Sequence, residues 1–135
     1  MNKEMPNNLN LVKLLENVID TERSIIITIP SNISWSDYEK ELKKVEDYSN
    51  ELNYKVPFFP KGIKKGDKCY LVHNGYVMGW MEITGMEEKK FVCNTTGKEW
   101  NGKFILRSGP FHYLDNKIKM KGFQGFRYFS IDDYQ

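Results

Sequence analysis

Lys65-Gly66-Asp67-Lys68-Cys69-Tyr70-Leu71-Val72-His73-Asn74-Gly75-Tyr76-Val77-Met78-Gly79-Trp80-Met81-Glu82-Ile83 decides the fold class. Asn74 and Gly75 both tolerate the positive φ that a type I′ hairpin turn demands, and the residues on either side are aromatic or branched, as half-buried strands require. The run reads as two antiparallel strands joined by a tight turn and led into through a second turn at Gly66-Asp67. Downstream, four further short strands are expected: Lys90 to Thr95, Phe104 to Arg107, Lys117 to Met120 and Phe126 to Ile131. Upstream, Ser24-Ile25-Ile26-Ile27-Thr28-Ile29, stopped by Pro30, is apolar on both faces, as a strand in the middle of a sheet would be. The expected class is α+β: a small mixed or antiparallel β-barrel, closed or nearly so, with two or three peripheral helices.

Two of those helices are visible as patterns. Leu11, Val12, Leu15, Val18 and Ile19 follow three-and-four spacing between Asn8 and Asp20, which predicts an N-terminal helix packed on a barrel spanning residues 24 to 131. Ser36-Asp37-Tyr38-Glu39 matches a capping box and predicts a second helix with Tyr38, Leu42, Val45 and Leu52 on its apolar face, ending near Asn53. Pro57, Pro60 and Gly62 bracket Phe58-Phe59 in an extended connector whose rings are expected to plug one end of the barrel.

The chain of 135 residues is one domain's worth, with 40% apolar and 28% charged residues, an ordinary globular balance. Its net charge of +2 is uneven: residues 1 to 60 hold 7 Lys+Arg against 10 Asp+Glu, and residues 61 to 135 hold 13 against 8. The positive half favours an anionic partner, or simply a solvated surface. No apolar run approaches the ~20 residues of a membrane span, and Met1-Asn2-Lys3-Glu4-Met5-Pro6 lacks a signal peptide's apolar core, so a cytoplasmic location is expected. Cys69 and Cys93 lie in apolar runs without CxxC or Cys/His ligand spacing and are expected to be buried thiols, with no metal site. Gly97-Lys98-Glu99 fails the phosphate-loop pattern, and no motif calls for a cofactor.

Two polar constellations stand out. In Arg107-Ser108-Gly109-Pro110-Phe111-His112 a guanidinium leaves a strand, a Gly-Pro turn follows, and an imidazole comes next; Arg107 offers a planar fork and His112 a partner that donates, accepts or stacks. The plainer reading pairs Arg107 with a local carboxylate. Lys119-Met120-Lys121-Gly122-Phe123-Gln124-Gly125-Phe126-Arg127-Tyr128 interleaves cations, aromatics and glycines as a reader of single strands or extruded bases would, although Phe126 and Phe129 suit the core better than a ligand. Trp35 and Trp100 are candidate stacking platforms, whereas Trp80, after a strand glycine, is expected in the core.

With the Lys65-Gly66-Asp67 lead-in, the hairpin through Ile83 and the terminal Gly125-Phe126-Arg127-Tyr128-Phe129 in view, the chain resembles the PUA-like superfamily near its ASCH and EVE branches. The resemblance covers roughly residues 24 to 131 and implies a small barrel that binds RNA, or modified bases in DNA, in a cleft between strands and helices. The GxKxxExR signature of the ASCH branch is absent, so no catalytic set carries over. The leading expectation is a non-enzymatic module for RNA, or for RNA or DNA with a modified base: Trp35 or Trp100 stacks on the base, Arg107 and Gln124 read its edge, and Lys119, Lys121 and Arg127 hold phosphates. Two alternatives stand beside it. One is a small hydrolase or transferase of a modified nucleoside or anionic metabolite, with His112 as general base and Arg107 as anion clamp; the other is an interaction module that docks a partner on the acidic helix from Asp37 to Asn50.

Overall fold

The computed structural model describes residues 23 to 93 and 96 to 134. Strand β1 (Ser24–Thr28) is followed by helix α1 (Trp35–Asp47), β2 (Leu52–Val56), β3 (Lys68–His73), β4 (Tyr76–Val92), β5 (Glu99–Lys119) and β6 (Phe126–Tyr128), and a 3-10 turn closes the described chain (Ile131–Tyr134). The six strands form one mixed sheet in the order β2-β5-β4-β3-β1-β6, curled into a half-barrel. The expected N-terminal helix, Asn8 to Asp20, lies outside the described residues. Among those residues no helix is long and apolar enough to cross a membrane.

The hairpin forms where Asn74-Gly75 places it, with φ of 48° and 86° at the two turn residues and β3 antiparallel to β4. β1 sits between β3, to which it is parallel, and the short edge strand β6. Its isoleucines point alternately to the two sides. Ile25, Ile27 and Ile29 join Cys69, Leu71, Met81, Ile83 and Ile105 in the core beneath α1, while Ile26 joins Tyr70, Val72, Val77 and Phe129 on the opposite face. Burial on both faces, each isoleucine contributing about 1.5–3 kcal/mol, explains why this strand shows no polar alternation.

The downstream strands are longer and fewer than the sequence pattern suggests. β4 runs for 17 residues and β5 for 21, so three of the four segments expected as separate strands fall within two continuous bent ones, while the fourth, from Phe126, forms the short β6. Bulges make this possible. Between the pairs Trp80 to His112 and Glu82 to Ser108, the residues Gly109, Pro110 and Phe111 face Met81 alone, so Pro110 occupies a place where the ladder needs no N–H. What reads as a Gly-Pro turn is therefore a bulge inside a strand. Among the described residues no ladder joins the outer strands β2 and β6; the connector after β2 spans the gap, with the Lys61 N–H donating to Tyr128 Oη at 2.7 Å and Phe58 against Phe126. Phe59 packs into the core and Phe58 stays largely exposed, so one ring of the expected plug turns inward.

Helix α1 begins two residues earlier than the capping box at Ser36 suggests and ends earlier too. Ser34 is the N-cap, its hydroxyl accepting from the Asp37 N–H at 3.1 Å. The end is a Schellman arrangement: Ser49 takes φ 54°, its N–H donates to Glu46, and the Asn50 N–H donates to Val45. Leu52 is thereby freed to open β2 instead of extending the helix face. The incoming loop is fixed by Ile29 N–H to the Val72 carbonyl and by His73 Nε2, which donates to the Ile33 carbonyl at 2.7 Å.

Candidate functional site

Beyond Gly109, β5 turns the side chains of Phe111 and Tyr113 toward the flank of α1. The Phe111 ring can lie across β4 because residue 79 has no side chain: a Cβ there would stand 2.8 Å from Phe111 Cζ and 2.1 Å from the His112 carbonyl oxygen. α1 presents Ser36, Glu39, Lys40, Lys43 and Glu46 at helical spacing on the facing wall, with Leu42 at the floor. Between them lies a groove of about 420 Å³, within the range of small-ligand sites.

Trp35 stands behind this groove and braces it. Its ring centroid lies 5.5 Å from Phe111, 5.7 Å from Tyr38, 5.6 Å from His73 and 6.2 Å from Tyr113. Its indole N–H donates to Tyr113 Oη at 2.9 Å, and the Tyr113 hydroxyl donates in turn to Glu39. Burial first, and then the bond to Glu39, raises the Tyr113 pKa above the ordinary phenol value, so the hydroxyl stays a donor through the neutral range. One Glu39 oxygen is thus fixed beside two aromatic rings. Lys43 is drawn toward Glu46 at 3.8 Å and Asp47 at 3.4 Å, and the two lysines of the groove are matched by two glutamates.

On the same side of β5, the other way along the strand from Gly109, lies Arg107. It is 4% exposed, with NH1 3.2 Å from Tyr38 Oη and 3.5 Å from Met81 Sδ, and Cζ 6.0 Å from the Tyr54 ring centre. Among the described residues no carboxylate lies within ion-pair distance, and Nε has no hydrogen-bond partner in the protein. The expected pairing with a local carboxylate is therefore not what holds it. Burial by itself would lower its pKa, but Tyr38, Cys69 and Tyr54 outweigh that and leave it raised. Burial meanwhile pushes the Cys69 thiol up to about 11, so this neighbour lends the buried guanidinium no negative charge at neutral pH, and among the described residues none within ion-pair distance does.

The residues singled out in the sequence do not share one hollow. His112 is exposed on the opposite face, stacked on Trp80 at 4.1 Å and 22°, and Trp80 is only half-buried, packed beside the second core with Lys68 over its ring. Trp100 lies near the far end of the β4-β5 ribbon, opposite Phe91 and beneath Lys98. Lys119 is exposed at the end of β5 across from Tyr76. Lys121 and Gln124 are exposed on the link into β6, and Arg127 stands on β6 with Cζ 4.2 Å from the Phe123 ring centre. Only these last three belong to a single stretch of surface, and it is remote in the sheet order from the groove, at the β6 edge. Cys69 is fully buried, as expected, and Cys93 is half-buried.

Tyr113 and Glu39 are the functional candidates that sequence reasoning passed over. Phe111 and Tyr113 do carry a signal, two aromatics at strand spacing just after a Gly-Pro pair, but the turn assigned to that pair concealed it. Among the described residues no group of three His, Cys, Asp or Glu side chains is placed to hold a metal ion. No protein-family model, no curated protein and no solved structure matches the chain.

Proposed function

We propose that this chain is a non-enzymatic binding module of PUA-like type, working in the cytoplasm, that takes a single-stranded or extruded nucleobase of RNA, or of DNA with a modified base, into the groove between α1 and β5. The observation that carries the reading is the aromatic wall of Phe111 and Tyr113 facing a fixed carboxylate in a groove of about 420 Å³. A base has two apolar faces and an edge of N–H donors; the rings offer stacking and Glu39 an acceptor for an amino or imino N–H. Lys40 and Lys43 at the rim suit one or two flanking phosphates. The curled mixed sheet with a helix across one face supports the PUA-like part of the proposal.

The test is a titration of mixed single-stranded RNA and DNA oligonucleotides, with and without methylated bases, followed by tryptophan fluorescence. Tyr113→Ala or Phe111→Ala should weaken binding about tenfold, the worth of one stacked base, while Trp100→Phe and Lys119→Ala should leave it unchanged. With two lysines at the rim, the slope of log K against log salt should be no steeper than about −1.4. Absence of binding to every oligonucleotide at low salt would remove the proposal. The acid-base alternative built on His112 and Arg107 is not supported, because the two side chains occupy opposite faces of the sheet. The acidic-helix alternative is weakened by Lys43 and Lys44, which pair with Glu46, Asp47 and Glu41 on the helix itself.

A further inference from the structure

Among the described residues Arg107 Nε is the buried side-chain polar atom left without a hydrogen-bond partner. Burying a guanidinium costs several kcal/mol unless a counter-charge or a full set of acceptors offsets it. Here four elements close around it: Tyr38 from α1, Tyr54 from β2, Cys69 from β3 and Met81 from β4. None is an anion at neutral pH, since phenols and a buried thiol keep their protons, and the thioether is a weak acceptor. A fork of N–H donors, one of them unpartnered, set beside the Tyr38 hydroxyl with no carboxylate among the described residues, is the inverse of a salt bridge: it has the donors and the charge, and lacks the acceptor.

The way to it from the groove is covered by α1. Gly109, the next residue on that side of β5, contributes no side chain between Arg107 and the groove, so the helix packs directly on the strand there: a Cβ would lie 3.6 Å from Glu46 Cβ and 3.9 Å from the Leu42 carbonyl. The helix rests on the sheet mainly through β5, so a ligand reaches Arg107 only as α1 lifts from that strand.

We propose that Arg107 is the receptor of an oxyanion site inside the half-barrel, taking the carboxylate or phosphate-monoester group of a small ligand onto its guanidinium fork beneath α1. This goes beyond the base-binding reading and does not rest on it. The ligand's oxygens occupy the Nε side of the fork, and the Tyr38 hydroxyl, which accepts from NH1, turns its own hydrogen toward them.

The test is thermal unfolding of the full chain in inorganic phosphate and, separately, in acetate, at constant ionic strength against chloride. Wild type should show a rise in Tm that grows with the logarithm of anion concentration above Kd, about 5 °C at ten times Kd, with one or both anions; Arg107→Met should lose it. A response to phosphate alone assigns the phosphate monoester, and a response to acetate assigns the carboxylate. Arg107→Met without added anion should be at least as stable as wild type, because it removes an unpaired buried charge. Should that variant not fold, Tyr38→Phe keeps the cation and should weaken the anion severalfold. No rise in Tm over the chloride control in wild type, an equal rise in Arg107→Met, or an unchanged affinity in Tyr38→Phe would overturn the proposal. Tyr113→Ala should keep the anion response while weakening base binding about tenfold, so the two readings fail separately.

Discussion

Replacing Gly79 by alanine tests the close approach on which the groove depends. The backbone at Gly79 has an ordinary negative-φ strand conformation, so the substitution should by itself gain about 0.4–1 kcal/mol by restricting the unfolded chain. Space decides otherwise. The new methyl would stand 2.1 Å from the His112 carbonyl oxygen and 2.9 Å from its carbon, so β5 would have to retreat by about 1 Å. Those atoms are backbone in a paired stretch between two bulges, and the strand cannot move there without disturbing the Phe111 ring on one face and the Trp80 to His112 stack on the other. Overpacking of this kind costs about 1–3 kcal/mol, and the upper end is expected because backbone rather than a side-chain tip must give way. After subtracting the entropic gain, the expected net loss is about 2 kcal/mol. Gly85→Ala on the same strand is the control: its methyl meets only Leu106 Cδ1, at 3.4 Å, and should be neutral or mildly stabilising. Urea unfolding read by tryptophan fluorescence separates the two as a lower midpoint for Gly79→Ala at unchanged m. Equal midpoints for the two variants, or a stabilised Gly79→Ala, would refute the argument that β4 and β5 touch here.

Ser34→Ala should cost about 1 kcal/mol of stability in the same assay, and Ser36→Ala much less, because the cap bond to the Asp37 N–H comes from Ser34. Alkaline titration should reveal Cys69: its folded pKa of about 11 lies above that of the exposed thiol, so the unfolded chain releases the proton first and stability falls as pH rises from about 9 toward 11. The loss is on the order of 2–3 kcal/mol, and Cys69→Ala should flatten that window while leaving the later loss caused by the raised Tyr54, Tyr70 and Tyr113 phenols. Below pH 9 Cys69 should be inert to thiol reagents in the native protein, and rapid labelling there would contradict its burial.

The local features of the fold were legible because their causes are local. Asn74-Gly75 makes a turn by its own φ preferences, and the isoleucines of β1 report burial on both faces by failing to alternate. The helix itself was legible from the capping box at Ser36, but its cap was not: the hydroxyl that accepts from the Asp37 N–H is that of Ser34, two residues earlier, on a loop tied down by His73. The candidate site was less legible. Phe111 and Tyr113 become neighbours of α1 only because a bulge carries β5 through Gly109-Pro110 without turning, and no local pattern distinguishes that bulge from a turn.

The sequence by itself determined an α+β class: strands built on an Asn-Gly hairpin, with an amphipathic helix beside them, since turn, strand and cap chemistry act within a few residues. Tertiary structure alone decided which polar groups meet. The one bulge between them carries β5 on as a single strand, and strand parity then puts Arg107 in the interior and His112, five positions later, on the opposite face. Side-chain direction in a strand reverses at every residue and is reset at every bulge, so a site assembled across several strands depends on register, which only the folded sheet fixes.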